Sequence, residues 1–203
     1  MLIDDDRTFA FIYIPKTGGN SIIKMFDLTP HDDILLTHEP IDRATEDLTN
    51  LFTFAFVRNP FDRLYSTYAY FQKHKKTHKK SPIYNSNGLH HFYDGSFKHW
   101  LLHESWPLWD PNKTMGLPFQ KKQQLEYITI GWKICIDYVA RMEHFDDEYK
   151  AICFKLNKTP VSTIQHENQS RRSLDYHIMY DDEMIDFVYK YHAADLETFN
   201  YTF

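Results

Sequence analysis

Only two cysteines, Cys135 and Cys153, occur in the 203 residues. So few in a chain of this length give no disulfide framework, and both read as buried thiols. Positive charge is not in excess either: 23 Lys and Arg face 28 Asp and Glu, a formal net charge of −5. Without a basic field, general nucleic-acid binding is excluded, and any anionic ligand must be met by locally placed cations. Long apolar runs are missing as well. No stretch approaches the roughly 18 apolar residues that a membrane-spanning helix needs. Residues 1–7 (MLIDDDR) lack a cationic region followed by an apolar one, so no secretory signal is read there. The expectation is a cytoplasmic protein without a membrane span. The four Asn-x-Ser/Thr sequons, at Asn112, Asn157, Asn168 and Asn200, are then coincidences.

What is present is the composition of a folded protein, 42% hydrophobic and 17% aromatic. The length suits one domain over 1–203, with a loop or lid insertion around 74–118. Thr8 to Ile14 (TFAFIYI) and Leu51 to Val57 (LFTFAFV) are short apolar runs rich in aromatic and β-branched residues. Such runs suit strands buried on both faces of a parallel sheet. Each leads through a turn signal into a helical pattern, Asn20 to Phe26 after the first and Phe61 to about Lys73 after the second. Repeated strand, turn and helix predict an α/β fold.

Elsewhere, Ile34 to Thr37 reads as a short strand and Pro40 to Leu48 as a helix. His74 to Asn87 is polar and basic and reads as a loop. Ser96 to His103 reads as a helix with Ser96 at its N-cap. Trp106 to Gly116, with two prolines, is a connection. Ile136 to Arg141 reads as a third buried strand and Asp146 to Leu156 as a helix. The acids Asp181, Asp182 and Glu183 open a further helix through Tyr191.

The segment Pro15-Lys16-Thr17-Gly18-Gly19-Asn20-Ser21 carries the most chemistry. A strand ends, two glycines permit an unusual backbone, and a helix begins, so several N–H groups converge on one point. Lys16 adds a full charge, and Thr17, Asn20 and Ser21 add side-chain donors. The lysine precedes the glycines, so this is not a Walker A loop. The second segment is Arg58-Asn59-Pro60-Phe61-Asp62-Arg63-Leu64-Tyr65-Ser66. Arg58 leaves a buried strand, and Ser66 follows a little over two helical turns later. A guanidinium and a hydroxyl so spaced suit a phosphate, while Asp62 and Arg63 alone would only cap the helix.

Together the two segments resemble the cofactor signatures of sulfotransferases that use 3′-phosphoadenosine 5′-phosphosulfate (PAPS), and their spacing fits the smaller carbohydrate-type and bacterial members. The weaker matches are Arg141-Met142-Glu143 at a strand end, with Met142 in place of a phenylalanine, His166-Glu167-Asn168, and Asp195 to Tyr201. The resemblance covers nearly the whole chain. It implies a three-layer α/β sandwich with a central parallel sheet, like that of P-loop nucleotide kinases. It also implies that the 15–21 loop binds the 5′-phosphosulfate and that Arg58 and Ser66 bind the 3′-phosphate. The activity implied is sulfuryl transfer from PAPS to a hydroxyl of a carbohydrate or other small acceptor, with release of PAP.

In that reading Lys16 stabilises the leaving oxygen, and no metal is required. His38, in the region where relatives carry a base, is the candidate general base, with Glu39 as its neighbouring rival. His74 with His78 and His99 with His103 are each four apart, but no acid or cysteine completes a metal site. The run Lys73 to Lys80 is a solvated face or a steering patch for an anion. The alternatives are a nucleotide-dependent small-molecule kinase on a related fold, and a PAP-binding protein without catalysis.

Overall fold

Aromatic and β-branched side chains favour extended chain, and here they build the sheet. The structure is a computed structural model that describes residues 1–29, 38–78, 95–103, 121–163 and 175–203, without the side chains of 71, 74–78 and 103. In chain order its elements are β1 (Leu2–Ile3), β2 (Phe9–Phe11), α1 (Gly19–Met25), β3 (Phe52–Val57), α2 (Pro60–His78), α3 (Phe97–His103), α4 (Leu125–Ile128), β4 (Thr129–Ile130), β5 (Lys133–Ile134), β6 (Tyr138–Arg141), α5 (Phe145–Lys155), α6 (Asp182–Tyr191) and α7 (Ala193–Thr198). Single 3₁₀ turns lie at Ile41–Arg43, Met142–His144 and His177–Met179. The chain forms two units, Met1–Arg58 with Gln123–Gln169, and Asn59–Lys122 with Ser170–Phe203.

The first unit holds the sheet, in the order β1-β2-β3-β6. β1 is antiparallel to β2, whereas β2, β3 and β6 run parallel. The fold is therefore mixed α/β around a mostly parallel sheet. Phe9, Phe11, Phe54 and Phe56 are fully buried, with Ile22, Met25, Tyr149, Ile152 and Cys153 in the same core. Each such side chain contributes about 1.5–3 kcal/mol by leaving water. The rings pack tilted or stacked, as aromatic quadrupoles prefer (Phe9–Phe54 5.6 Å, Phe11–Phe54 5.2 Å).

Polar staples hold the strand ends. Asp4, buried, accepts from the Thr8 and Phe9 N–H groups at 2.7 and 2.8 Å and from the Thr8 hydroxyl at 2.6 Å. Burial alone would raise its pKa, but these bonds outweigh that and hold it below the usual carboxylate range. Asp137 accepts from the Thr53 N–H and hydroxyl, both at 2.8 Å, and so ties the start of β6 to β3.

The second unit is helical among the described residues. Phe61, Leu64, Tyr65, Phe97, Trp100, Leu101, Met184, Val188 and Leu196 form its buried side. Asn59 starts α2 as a cap, its Oδ1 accepting from the Phe61 N–H at 3.0 Å. Asp181 caps α6, accepting from the Met184 N–H at 3.1 Å.

Several expectations change. The run at 8–14 pairs as a strand only over Phe9–Phe11. β6 is only partly buried. The helix expected over 40–48 shrinks to the 3₁₀ turn Ile41–Arg43. Asp47 explains part of this: its Oδ1 accepts from the Thr49 N–H and hydroxyl at 3.0 and 2.6 Å, a local turn that competes with helix. Of the loop expected over 74–87, residues 74–78 are helical instead, because α2 runs to His78, and 79–87 lie outside the described residues. Lys and Gln are adequate helix formers, and neither proline nor glycine interrupts the chain there. The strand at 34–37, the connection at 106–116 and the motif at 166–168 lie outside the described residues.

Candidate active site

The turn after β2 is shaped by steric demands on two glycines. Gly18 is left-handed, with φ 85°, and a Cβ there would stand 2.6 Å from the Met142 sulfur and 3.1 Å from the Phe145 ring. Gly19 opens α1, where a Cβ would lie 1.9 Å from the Tyr13 ring. That ring cannot easily yield. It stacks on Phe11 at 5.5 Å, and its hydroxyl donates to Asn20 Oδ1 at 2.9 Å. Lys16 also lies in the left-handed region, with φ 70°, an uncommon conformation for a residue with a side chain.

The expected donors divide. The Thr17 hydroxyl is fully buried and donates to the Ile14 carbonyl at 2.9 Å, so it closes the turn from within. Ser21 is buried, Asn20 exposed, and Pro15 and Lys16 half-buried. Arg58 follows the last residue of β3, and its guanidinium donates to the Lys16 carbonyl at 3.2 Å. The two signature turns thus meet, because β2 and β3 are parallel neighbours whose C-terminal ends open on the same side. Ser66 lies on the buried side of α2, in the second unit.

His38 packs on Tyr13, with ring centroids 4.2 Å apart, and its Nδ1 lies 2.9 Å from the Tyr13 carbonyl oxygen. A carbonyl only accepts, so Nδ1 carries the hydrogen and the lone pair resides on Nε2. Burial lowers the imidazole pKa to about 4; the bond to Tyr13 opposes the shift, and the Lys16 charge adds to it. His38 is therefore neutral near pH 7, and its Nε2 lone pair is a weaker base than that of a free imidazole. Glu39 is half-buried beside it.

Gln124 escaped the sequence reading. It is 0% exposed, accepts from the Arg58 N–H at 2.9 Å and donates to the Arg58 carbonyl at 2.8 Å. It comes from a polar run of no distinctive pattern, 66 positions from its partner. Met142 stands where the resemblance implies a phenylalanine, and its place under Gly18 carries no local sequence signal. Among the described residues, no group of three or more His, Cys, Asp or Glu could hold a metal ion, and no helix is long and apolar enough to cross a membrane.

A mostly parallel α/β sheet thus carries a lysine- and glycine-bearing turn and an arginine at adjacent strand ends. The model of the sulfotransferase family matches residues 1–202, so the chain belongs to that family. Membership supports sulfuryl transfer in general. Comparison with curated proteins and with solved structures gives no match.

Proposed function

We propose that the protein transfers the sulfuryl group of PAPS to a hydroxyl of a carbohydrate or other small acceptor and releases PAP. The observation that carries this reading is the meeting of Arg58 with the Lys16 carbonyl, which joins the two signature turns at one place. The family pattern assigns the 15–21 turn to the 5′-phosphosulfate and Arg58 and Ser66 to the 3′-phosphate. The chemistry of the residues fits such a polyanionic substrate: an ammonium, a forked guanidinium and turn amides are what phosphate and sulfate oxygens accept from.

In the step itself the acceptor oxygen forms a bond to sulfur, and the bond from sulfur to the bridging oxygen breaks. The electron pair stays on the phosphate of PAP. Lys16 stabilises that oxygen, and the hydroxyl proton passes to Nε2 of His38. The fixed tautomer of His38 supports this role, since its lone pair is on the nitrogen not bonded to Tyr13.

Calorimetry with PAP tests the cofactor assignment. Lys16→Ala and Arg58→Ala should each weaken binding by at least about tenfold, as loss of a charged hydrogen bond does. Unchanged affinity in both variants refutes it. His38→Ala should retain PAP affinity and lose turnover of labelled PAPS. Because the His38 pKa is lowered to about 4, kcat/KM should stay flat from neutral pH downward and fall only near pH 4. The stability sign is the same. An unfolded imidazole titrates near 6.5, so stability is full above that and is lost as pH falls toward 4. A wild-type activity limb centred near pH 6.5, or full activity in His38→Ala, would move the base elsewhere.

A further inference from the structure

Arg58 stands one residue past the last paired position of β3, Val57 with Arg141. A part-buried peptide there still needs partners for its N–H and C=O. Gln124 supplies both: a primary amide presents one acceptor and two donors, and it faces the Arg58 peptide as a neighbouring strand would. The Arg58 guanidinium then reaches the Lys16 carbonyl at 3.2 Å. Lys16 holds the left-handed conformation, which is unfavourable for a residue with a Cβ. A hydrogen bond from a charged donor is stronger than a neutral one and offsets that strain.

We propose that Gln124 and Arg58 are positioning residues for the 15–21 turn: Gln124 fixes the Arg58 peptide, and the Arg58 guanidinium fixes the Lys16 backbone. This rests on the PAPS reading and adds to it. The seat of the 5′-phosphosulfate would then depend on a residue that the family pattern assigns only to the 3′-phosphate. Gln124 would contribute to substrate affinity without touching the substrate.

Two ligands separate the roles. PAP carries the 3′-phosphate, and adenosine 5′-phosphosulfate lacks it. Calorimetry with both should be run on wild type, Arg58→Ala, Arg58→Lys and Gln124→Met, with thermal melts as the folding control. Arg58→Ala should weaken adenosine 5′-phosphosulfate by roughly tenfold, and PAP by more. Gln124→Met should weaken both ligands by a similar factor and raise KM for PAPS more than it lowers kcat. Arg58→Lys keeps a charge for phosphate but loses the rigid fork. It should therefore spare PAP more than Arg58→Ala does and still weaken adenosine 5′-phosphosulfate; if Arg58→Ala does not fold, this variant decides.

Adenosine 5′-phosphosulfate affinity unchanged in the folded Arg58 variants, with PAP weakened, would overturn the positioning role and leave the PAPS reading intact. Wild-type affinity for both ligands in Gln124→Met would remove Gln124 from the link. Failure of the wild type to bind either ligand would instead defeat the PAPS reading itself.

Discussion

The turn at 15–19 and the hairpin tip between β4 and β5 both take a glycine and a larger residue to positive φ. In the first these are Gly18 at 85° and Lys16 at 70°, in the second Gly131 at 56° and Trp132 at 66°. Their surroundings differ. Gly18 faces the Met142 sulfur and the Phe145 ring, and the Lys16 carbonyl is held by Arg58. Nothing lies within 4 Å of where a Cβ on Gly131 would stand, and Trp132 is 75% exposed. At the tip the left-handed backbone answers only to the twist of a two-residue hairpin, which favours positive φ at both central positions. In the turn after β2 the same backbone is enclosed by packing from one other segment and by a hydrogen bond from a second. Unfavourable conformations persist where surroundings over-determine them, and such places concentrate at functional sites.

The sharpest test of that contrast is Lys16→Gly. If the charge of Lys16 serves the reaction, this variant should lose about two to three powers of ten in kcat, the range for removal of one oxyanion donor. Glycine adopts φ 70° freely, so the melting temperature should hold or rise. Turnover assays paired with thermal melts read both. A loss of stability matching the loss of rate would place the lysine in the fold rather than in the chemistry.

A smaller effect should separate the two glycines. Gly18→Ala should cost about 2–3 kcal/mol, because left-handed strain adds to displacement of Met142 and Phe145. Gly131→Ala meets open space and should cost about 1 kcal/mol, the strain alone. Denaturant melts give both values. Combining Gly18→Ala with Met142→Ala should recover the packing part but not the conformational part, so the two changes should be non-additive. Equal costs at the two glycines would show that Met142 yields freely.

The sequence makes some of this contrast readable and conceals the rest for physical reasons. β3 and both signature turns are local patterns: apolar runs that end in glycine, proline and a cation. The approach of Arg58 to Lys16 follows from parallel neighbouring strands. By contrast, Gln124 acts at a distance of 66 residues on a backbone group, and backbone groups leave no mark in the sequence of their partner. The positive φ of Lys16 is equally silent, since lysine has no preference for that region and neighbouring contacts impose it. The hairpin at 129–134 is hidden in the sequence, because its turn is Gly-Trp and lacks the familiar Asn-Gly or Asp-Gly signal. The failed helix at 40–48 is a competition between weak local preferences, in which the Asp47 turn prevailed together with the contact of Glu46 with Arg7 at 3.2 Å.

The smallest effect belongs to the tip. Trp132 stands where glycine or asparagine would sit without strain, and its ring is largely in water. Little apolar burial is lost when it is replaced, so relief of left-handed strain should dominate. Trp132→Asn should raise stability by about 0.5–1 kcal/mol, and Trp132→Gly by somewhat less, since glycine frees the unfolded chain. Denaturant titration at constant slope measures it, and turnover should not change. A loss of stability instead would mean that the indole packs on the body of the first unit in solution. The two left-handed turns would then differ in degree of enclosure rather than in kind.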